Sequence, residues 1–268
     1  MTEPLAAAEA FVRARRTAEV LSVYPGSPPV DLAQAYGIQD HAITLDGRRI
    51  SGWKVGRIQS PDDARLGSNR LSGPIFSGSI VTVQEGEVPD MPVFAGGFAA
   101  GEAELLLHVA PGYAGPVPTD DAETRDIIDE VRIGLEIASS PYPGINADGA
   151  AVTVSDFGNN FGLVCGAALA DWREIDLCDI HIRTLVDNEV VGEATAATML
   201  DGPYGAVRFL LANLAARGID TSGGLWVSTG AITGVHDVAP GQHLKAVFGE
   251  HGEVACRIVA AKPDGQNI

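Results

Sequence analysis

Short apolar segments that end in turn residues recur from residue 50 onward, and they limit what this chain can fold into. They match β-strands at residues 50–55, 79–83, 92–94, 103–109, 160–169, 175–185, 225–228, 244–248 and 254–259. Asp187 and Asn188 separate the apolar runs TLV and EVV, which predicts a two-residue hairpin. The strands and the few helical segments between them predict an α+β fold, with one compact β-rich domain after a small helical N-terminal region.

Helical patterns are few and are separated by loops. The predicted helices cover residues 3–22, residues 31–36 up to Gly37, a segment that begins at Asp120 behind a Thr119 cap, and residues 204–216. The third of these has an apolar face and carries Glu136 at its end. Residues 60–72 and 110–119 are predicted loops, and the domain boundary is predicted between a small N-terminal α/β region, 1–72, and a β-rich catalytic domain, 73–268.

Composition excludes several classes of protein. Acidic residues outnumber basic residues 35 to 18 in the 268-residue chain, and the net charge of −17 repels nucleic acid and anionic membranes. No stretch of about 18 consecutive apolar residues predicts a membrane span, and the acidic N-terminus does not resemble a signal peptide. We therefore expect a cytoplasmic protein. The three cysteines form no CxxC pair and are predicted to be buried free thiols.

The segment GEAELLL at residues 101–107 is the most informative site candidate. Strand residues two apart point to the same side, so Glu102 and Glu104 share a face. Two carboxylates that face the interior repel each other unless a cation lies between them, and a hard divalent cation prefers such oxygen ligands. Glu136, in the apolar run IGLEIA, would add a third carboxylate. Alternatively, the pair lies on a solvated strand face and Glu136 forms a salt bridge.

Other polar residues lie in apolar or glycine-rich surroundings. Lys54 in GWKVG is a candidate for proton transfer or for binding a substrate carboxylate, although a strand lysine can also extend to solvent. Asp156 in VSDFGNN and Thr229 before Gly230 are weaker candidates, since such residues also form plain turns. The six histidines show no HxH or HExxH spacing, and no GxSxG or GxxxxGK[ST] motif is present.

Several segments together resemble the 2-keto-4-pentenoate hydratase and 4-oxalocrotonate decarboxylase branch of the fumarylacetoacetate hydrolase superfamily. In family order they are AYGIQ at 35–39, GWKVG at 52–56, GEAEL at 101–105, LEI at 135–137, VSD at 154–156, AVRFLLANLAARG at 206–218, STGAITG at 228–234 and PGQHLKAVFGEHGEV at 240–254. The resemblance covers nearly the whole chain. It implies a β-rich roll of mixed sheets and a homo-oligomer, in some members a decamer.

The resemblance also implies the site. Glu102, Glu104 and Glu136 match the metal-binding carboxylates of the family, which hold Mg²⁺ or Mn²⁺. Lys54 matches its active-site lysine, Asp156 the start of its DNAS-type loop, and Thr229 the threonine of its TGA-type turn. Three motifs depart from the family: Pro141 follows Ser140 where an arginine is usual, the DNAS-type loop reads DFGN, and the usual GHP reads DGP at residues 201–203. The substrate pocket is therefore expected to differ.

The resemblance implies metal-dependent chemistry on small 2-oxo acids, in the degradation of aromatic or steroid rings. The first hypothesis is a hydratase that adds water to a 2-hydroxy-2,4-dienoate and forms a 4-hydroxy-2-oxo acid. The alternative is a decarboxylase of a 4-oxalocrotonate-type 2-oxo diacid, for which Arg57 and Arg70 are candidates to bind the far carboxylate. A third reading is a metal-binding scaffold subunit without activity.

Overall fold

The computed structural model describes residues 3–265, and within them two β-sheets form most of the molecule. The helices are α1 (Glu3–Thr17), α2 (Leu32–Asp46), α3 (Asp62–Leu66), α4 (Asp121–Asp126), α5 (Ala150–Ser155) and α6 (Gly202–Ala216). The strands are β1 (Ile50–Arg57), β2 (Arg70–Phe76), β3 (Ile80–Thr82), β4 (Asp90–Val93), β5 (Phe98–Val109), β6 (Ile128–Ser140), β7 (Asn160–Ala168), β8 (His181–Val186), β9 (Glu189–Thr195), β10 (Leu225–Ser228), β11 (His236–Asp237), β12 (His243–Phe248) and β13 (Glu253–Ala260).

Both sheets are mixed. The eight-stranded sheet has the order β2-β1-β10-β5-β6-β7-β3, and β11 also pairs with β5. The five-stranded sheet has the order β4-β13-β12-β8-β9. In the first sheet β1–β10 and β3–β7 are parallel pairs, and in the second β13–β4 is parallel. These mixed sheets with few helices confirm the predicted α+β, β-rich roll.

The main core lies between the sheets, and strand periodicity decides which side chains enter it. In residues 103–109 of β5 and 131–137 of β6, the odd-numbered residues are buried in this core and the even-numbered residues point to the opposite face. The core residues of these two stretches are Ala103, Leu105, Leu107, Val109, Val131, Ile133, Leu135 and Ile137, and Ile128 at the start of β6 joins them. A Cβ atom at Gly101 would lie 2.2 Å from Leu244 Cδ2, so the sheets approach closely there. The opposite face of β5 and β6 is left for other groups.

Residues 127–140 correct one prediction. The helix expected from Asp120 onward is only the short helix α4. Its N-terminal cap is Asp120, whose side chain accepts from the Glu123 backbone amide, and not Thr119. The chain then enters β6, so Glu136 lies in a strand and not in a helix. The alternating apolar residues from Val131 to Ile137 are the strand signal, and burial on both faces of the strand obscured it.

The N-terminal helices also differ from the prediction. α1 ends at Thr17 and not at residue 22. α2 continues past Gly37 to Asp46 and ends at Gly47, which adopts φ 70°. Gly37 is tolerated inside the helix because nothing lies within 4 Å of the position of its missing Cβ atom, while Ile38 and Ala42 extend the buried face. Residues 60–72, predicted as a loop, contain α3 and the start of β2.

One predicted strand is shorter than expected and one predicted turn is confirmed. The strand expected at residues 175–185 begins only at His181, because Leu177–Asp179 form a 3-10 turn that Asp176 caps. Asp187 and Asn188 form the predicted hairpin between β8 and β9, with φ 50° and 69°. The predicted division into two domains between residues 72 and 73 stays a prediction, and this boundary falls inside β2. Residues 1, 2 and 266–268 of the two predicted domains lie outside the described residues. None of the helices within residues 3–265 is both long and apolar enough to cross a membrane.

Candidate metal centre and active site

Three carboxylates meet on the face of the large sheet that points away from the main core. Glu102 and Glu104 lie on β5, and Glu136 lies directly opposite Glu102 in the register of β6. One oxygen of each carboxylate lies within 4.8 Å of the other two. Glu102 is 4% exposed and the other two are fully buried. The structure therefore brings the predicted metal-ligand residues together, through a cross-strand pair that the sequence spacing does not reveal.

Burial and the neighbouring negative charges raise the pKa values of Glu102 and Glu104. Burial raises the pKa of Glu102 to about 7; Lys54 opposes this shift, and Glu136 adds to it. The pKa of Glu104 lies well above its usual range because of burial and the neighbouring charges of Glu136 and Glu102. A cation placed among the three carboxylates would reverse this shift, because it stabilises their charged forms.

Lys54 is the positive group at this site. It lies on β1, which is separated from β5 by β10, and its side chain is 4% exposed. Its Nζ atom lies 3.2 Å from Glu136 Oε2 and donates to Asn159 Oδ1 at 3.3 Å. Burial alone would lower the pKa of Lys54, but the three carboxylates, Glu136 foremost, raise it above its usual value. Lys54 is therefore held as an ammonium, yet one positive charge faces three carboxylates.

Hydrogen bonds orient the carboxylates of Glu104 and Glu136 through one oxygen of each and leave the other oxygen available to a ligand. Glu104 Oε2 accepts from the Ser228 hydroxyl and from the Gly230 amide, the latter at 2.9 Å. Glu136 Oε1 accepts from Asn160 Nδ2 at 2.9 Å. The other oxygens, Glu104 Oε1 and Glu136 Oε2, are buried and accept no hydrogen bond from any residue in the described range. Glu136 Oε2 has only the nearby Lys54 charge, outside hydrogen-bond geometry.

These orphaned oxygens fit a hard divalent cation. An anionic, all-oxygen donor set is what Mg²⁺ and Mn²⁺ prefer. The outer-shell donors fix the orientation of the carboxylates, as is usual around metal ligands. Glu102, Glu104 and Glu136 are the residues that would hold the ion.

A cavity of about 700 Å³ opens at Glu102, one of the three carboxylates. Lys54, Glu102, Asn159, Thr229 and Gly230 form part of its wall. The Thr229 hydroxyl donates to the Leu105 carbonyl at 2.8 Å, so this side chain anchors the turn at the cavity wall. The cavity is large enough for a small organic acid next to the carboxylates.

Two arginines line the same cavity. Arg70 is 6% exposed and forms an ion pair with Asp201, the aspartate that stands in the altered DGP segment. Arg57 is exposed, and its side chain forms no ion pair or hydrogen bond with residues in the range 3–265. Arg57 is therefore the cavity arginine whose charge is available to an anionic ligand.

Asp156 takes a different position from the other predicted site residues. Its carboxylate is fully buried and is bound by the guanidinium of Arg15, and it is not among the residues that line the cavity. Its neighbours Asn159 and Asn160 reach Lys54 and Glu136 instead. The structure thus brings Lys54 and Thr229 to the cavity with the carboxylates, but not the Asp156 side chain.

The sequence reasoning missed four groups that orient the centre. They are Asn159, Asn160, Ser228 and the backbone amide of Gly230. The Gly230 amide, next to the candidate Thr229, donates to the Glu104 carboxylate at 2.9 Å. The sequence feature that could have indicated Asn159 and Asn160 is the polar segment GNN directly before an apolar strand. Such a segment is equally typical of a plain turn.

No protein-family model matches this sequence. The chain is 27% identical to 4-oxalocrotonate decarboxylase of Pseudomonas putida over 240 residues. This match covers 87% of each protein. It is 23% identical over 240 residues to 2-oxo-hept-4-ene-1,7-dioate hydratase of Escherichia coli, with 87% of this chain and 88% of that protein covered.

Solved structures share the fold. Against 4-oxalocrotonate decarboxylase from Pseudomonas putida G7 complexed with magnesium and adipate, the TM-score is 0.78 at 23% identity, over 96% of this chain and 97% of that chain. Against fumarylpyruvate hydrolase from Pseudomonas aeruginosa with Mn²⁺ and pyruvate, it is 0.58 at 16% identity, over 80% and 91%. These similarities confirm the resemblance to the hydratase and decarboxylase branch and the fold that it implied.

Proposed function

Because the chain resembles the hydratase and decarboxylase branch of the fumarylacetoacetate hydrolase superfamily, we propose that it is a divalent-metal-dependent lyase of unsaturated 2-oxo acids. The observation that carries the proposal is the pair of buried carboxylate oxygens, Glu104 Oε1 and Glu136 Oε2, that accept no hydrogen bond from residues 3–265. They belong to the same cluster as Glu102, which lines a cavity of about 700 Å³. Mg²⁺ or Mn²⁺ would bind to Glu102, Glu104 and Glu136.

When bound, the cation supplies Lewis-acid stabilisation of the negative charge that develops on the 2-oxygen of a 2-oxo acid. The remaining work belongs to the side chains around it. Lys54, held as an ammonium and present in the cavity wall, can bind a substrate carboxylate or donate a proton to carbon. Asn159 orients the Lys54 ammonium, and the Thr229-Gly230 turn orients Glu104.

The arginines favour a substrate with a second carboxylate. Arg57 lines the cavity without an ion-pair partner in the described range, so it can bind the far end of a diacid. The names of the relatives agree with this choice, since 4-oxalocrotonate and 2-oxo-hept-4-ene-1,7-dioate are both dicarboxylates. We therefore propose an unsaturated 2-oxo diacid as the substrate class.

The comparisons support decarboxylation and hydration alike, and the content of the cavity favours decarboxylation. Apart from Glu102, the ionisable residues of the cavity wall are three cations (Lys54, Arg57 and Arg70) and Asp62. Asp62 is ion-paired with Arg65. Loss of CO₂ needs an electron sink and a proton donor, whereas water addition also needs a base. Hydration is the second candidate, supported by the similarity to the Escherichia coli hydratase.

One assay tests the proposal. Metal-stripped protein is given Mg²⁺ or Mn²⁺ together with 4-oxalocrotonate or 2-hydroxypenta-2,4-dienoate, and ultraviolet absorbance and CO₂ are followed. The variants are Glu104→Ala and, as a matched control, Glu130→Ala, a half-buried glutamate on β6 outside the cluster. Metal-dependent loss of oxalocrotonate with CO₂, abolished only by Glu104→Ala, would support decarboxylation.

The other outcomes of this assay separate the alternatives. Loss of the dienoate without CO₂ would support the hydratase. A metal-dependent rise in the thermal midpoint without turnover of either compound would contradict the lyase and leave the metal-binding scaffold. Full activity of Glu104→Ala would refute the assignment of the centre.

The setting of the enzyme is also a proposal. We propose a cytoplasmic homo-oligomer that acts in the breakdown of aromatic compounds, and a decamer is the assembly to test for. Three free cysteines, two of them buried, agree with a reducing compartment. Gel filtration with light scattering would measure the oligomeric state.

A further inference from the structure

The segment from Asp156 to Asn160 holds an unusual backbone next to the proposed centre. Three successive residues have positive φ angles: Phe157 at 55°, Gly158 at 61° and Asn159 at 59°. Non-glycine residues rarely adopt such angles, and a run of three persists only when surrounding contacts hold it. The end of this segment carries the contacts of Asn159 to Lys54 and of Asn160 to Glu136. Whatever holds the segment also holds these two contacts.

Arg15, from the N-terminal helix α1, contacts both ends of this segment. Its Nε and Nη2 atoms both donate to the Asp156 carboxylate, the latter at 2.9 Å. Its Nη1 atom donates to the Asn160 carbonyl at 3.0 Å, and Nη2 also donates to the Ser139 carbonyl on β6 at 3.1 Å. One guanidinium therefore joins both ends of the segment to the strand that carries Glu136.

The surroundings of Arg15 are selective for a planar guanidinium. Its Cζ atom lies 5.1, 5.4 and 5.9 Å from the ring centroids of Phe157, Phe161 and Phe94. The Arg15 side chain is 3% exposed and that of Asp156 is fully buried. A lysine at this position would keep the charge but could not bond to Asp156, Ser139 and Asn160 at once.

The opposite side of the segment is closed by backbone. A Cβ atom at Gly73 of β2 would lie 2.0 Å from the Phe157 carbonyl oxygen, and one at Gly158 would lie 3.2 Å from Lys54 Cδ. The segment is therefore confined between β2 and Lys54 on one side and the Arg15 guanidinium on the other. Removing the guanidinium therefore frees the end of the segment at Asn160, whose carbonyl loses its bond to Arg15.

We propose that Arg15 is a positioning residue of the metal centre, which sets Asn159 and Asn160 and through them Lys54 and Glu136. The N-terminal helix then belongs to the active site even though no residue of α1 lines its cavity. The catalytic part of this inference rests on the proposed lyase function, while the effect on metal affinity does not. A buried ion pair contributes little net stability compared with apolar packing, so stability alone explains the arrangement poorly.

The test compares Arg15→Lys with Arg16→Met in metal-stripped protein. Arg16 is the matched control, because it follows Arg15 on the same helix and its side chain donates to the Leu45 and Asp46 carbonyls of α2 instead. Calorimetry gives the Kd for Mn²⁺, and assays give kcat and KM. We expect Arg15→Lys to weaken Mn²⁺ binding and to lower kcat by about 10- to 100-fold each, as loss of outer-shell partners does. Arg16→Met should leave both values unchanged.

A second variant keeps the test decisive if Arg15→Lys does not fold. Arg15→Met combined with Asp156→Asn removes both charges and leaves no unpaired buried ion. A folded double variant with wild-type Kd for Mn²⁺ and wild-type kcat would overturn the proposal, whatever its thermal midpoint. If the wild type turns over neither substrate, the lyase function fails, and the Kd for Mn²⁺ still decides the role of Arg15.

Chemical rescue gives a readout that a purely structural role would not move. Arg15 also lines a separate cavity of about 500 Å³, bordered by Arg16, Met91 and Phe161, through which a small cation can reach the vacated position. In Arg15→Ala, added methylguanidinium should restore Mn²⁺ affinity, and methylammonium should not. Equal effects of the two cations would contradict a requirement for the guanidinium geometry.

Discussion

The two buried charge clusters of this protein are built in opposite ways. In the Arg15–Asp156 pair, one positive and one negative group are matched, and the Arg15 guanidinium also donates to three backbone carbonyls. In the centre formed by Glu102, Glu104, Glu136 and Lys54, three carboxylates face a single ammonium. Two carboxylate oxygens there have no hydrogen-bond donor among residues 3–265.

This difference separates a cluster that the chain completes from one that it leaves incomplete. Removing either partner of a matched, hydrogen-bonded pair destabilises the fold, because the remaining charge stays buried and unpaired. An excess of buried negative charge instead destabilises the fold until a cation arrives. Neutralising one residue should therefore have opposite effects on the metal-free protein in the two clusters.

Glu104→Gln should give the largest effect. We expect the rise in thermal midpoint on adding Mg²⁺ or Mn²⁺ to disappear and kcat/KM to fall by about 10³-fold or more, since a metal ion contributes several kcal/mol to the transition state. Without metal, the variant should be more stable than the wild type, because a buried carboxylate is removed from its like-charged neighbours. Differential scanning fluorimetry with and without metal measures both changes. A metal response equal to that of the wild type would contradict the assignment.

Arg15→Met should be the strongest disruption of the matched pair. Leaving the buried Asp156 carboxylate without its partner should cost about 3–5 kcal/mol of unfolding free energy. Adding Asp156→Asn should recover part of this loss. Urea unfolding of metal-free protein provides the comparison, and a cost of less than about 1 kcal/mol for Arg15→Met would mean that the two clusters do not differ as described.

The pH dependence should follow the incomplete cluster. The folded-state pKa of Glu102, about 7, lies above its ordinary value of 4.5. Its stabilising contribution is therefore fully present below about pH 4.5 and is lost as the pH rises through about 7. In metal-free protein the thermal midpoint should fall over this range, while the additional stabilisation by Mg²⁺ should grow, since protons and metal compete for the carboxylates. Glu102→Gln should reduce both trends.

Arg57→Met should have the smallest effect, because Arg57 is an exposed charge at the cavity and belongs to neither cluster. An exposed ion pair contributes about 1 kcal/mol or less, so KM for a 2-oxo diacid should rise by about fivefold or less while kcat stays unchanged. The exposed Arg183→Met on the other sheet is the control. A similar rise in KM for a 2-oxo monoacid would show that Arg57 does not bind the second carboxylate.

The sequence by itself determined the features that local periodicity and turn chemistry encode. Residues two apart in a strand share a face, so Glu102 and Glu104 could be paired in advance, and the Asp187-Asn188 hairpin followed from its turn residues. The apolar and glycine-rich surroundings of Lys54 made it a site candidate but left open whether its side chain extends to solvent, and the structure buries it.

Only the tertiary structure decided which charges meet. Glu136 required β6 to be a strand in register with β5, and the apolar run around it also matched a helix. Lys54 reaches the carboxylates across β10, and Arg15 reaches Asp156 across 141 residues of chain. Neither contact leaves a local signal, because the compensation of a buried charge depends on what packs against it in space and not on its neighbours in sequence.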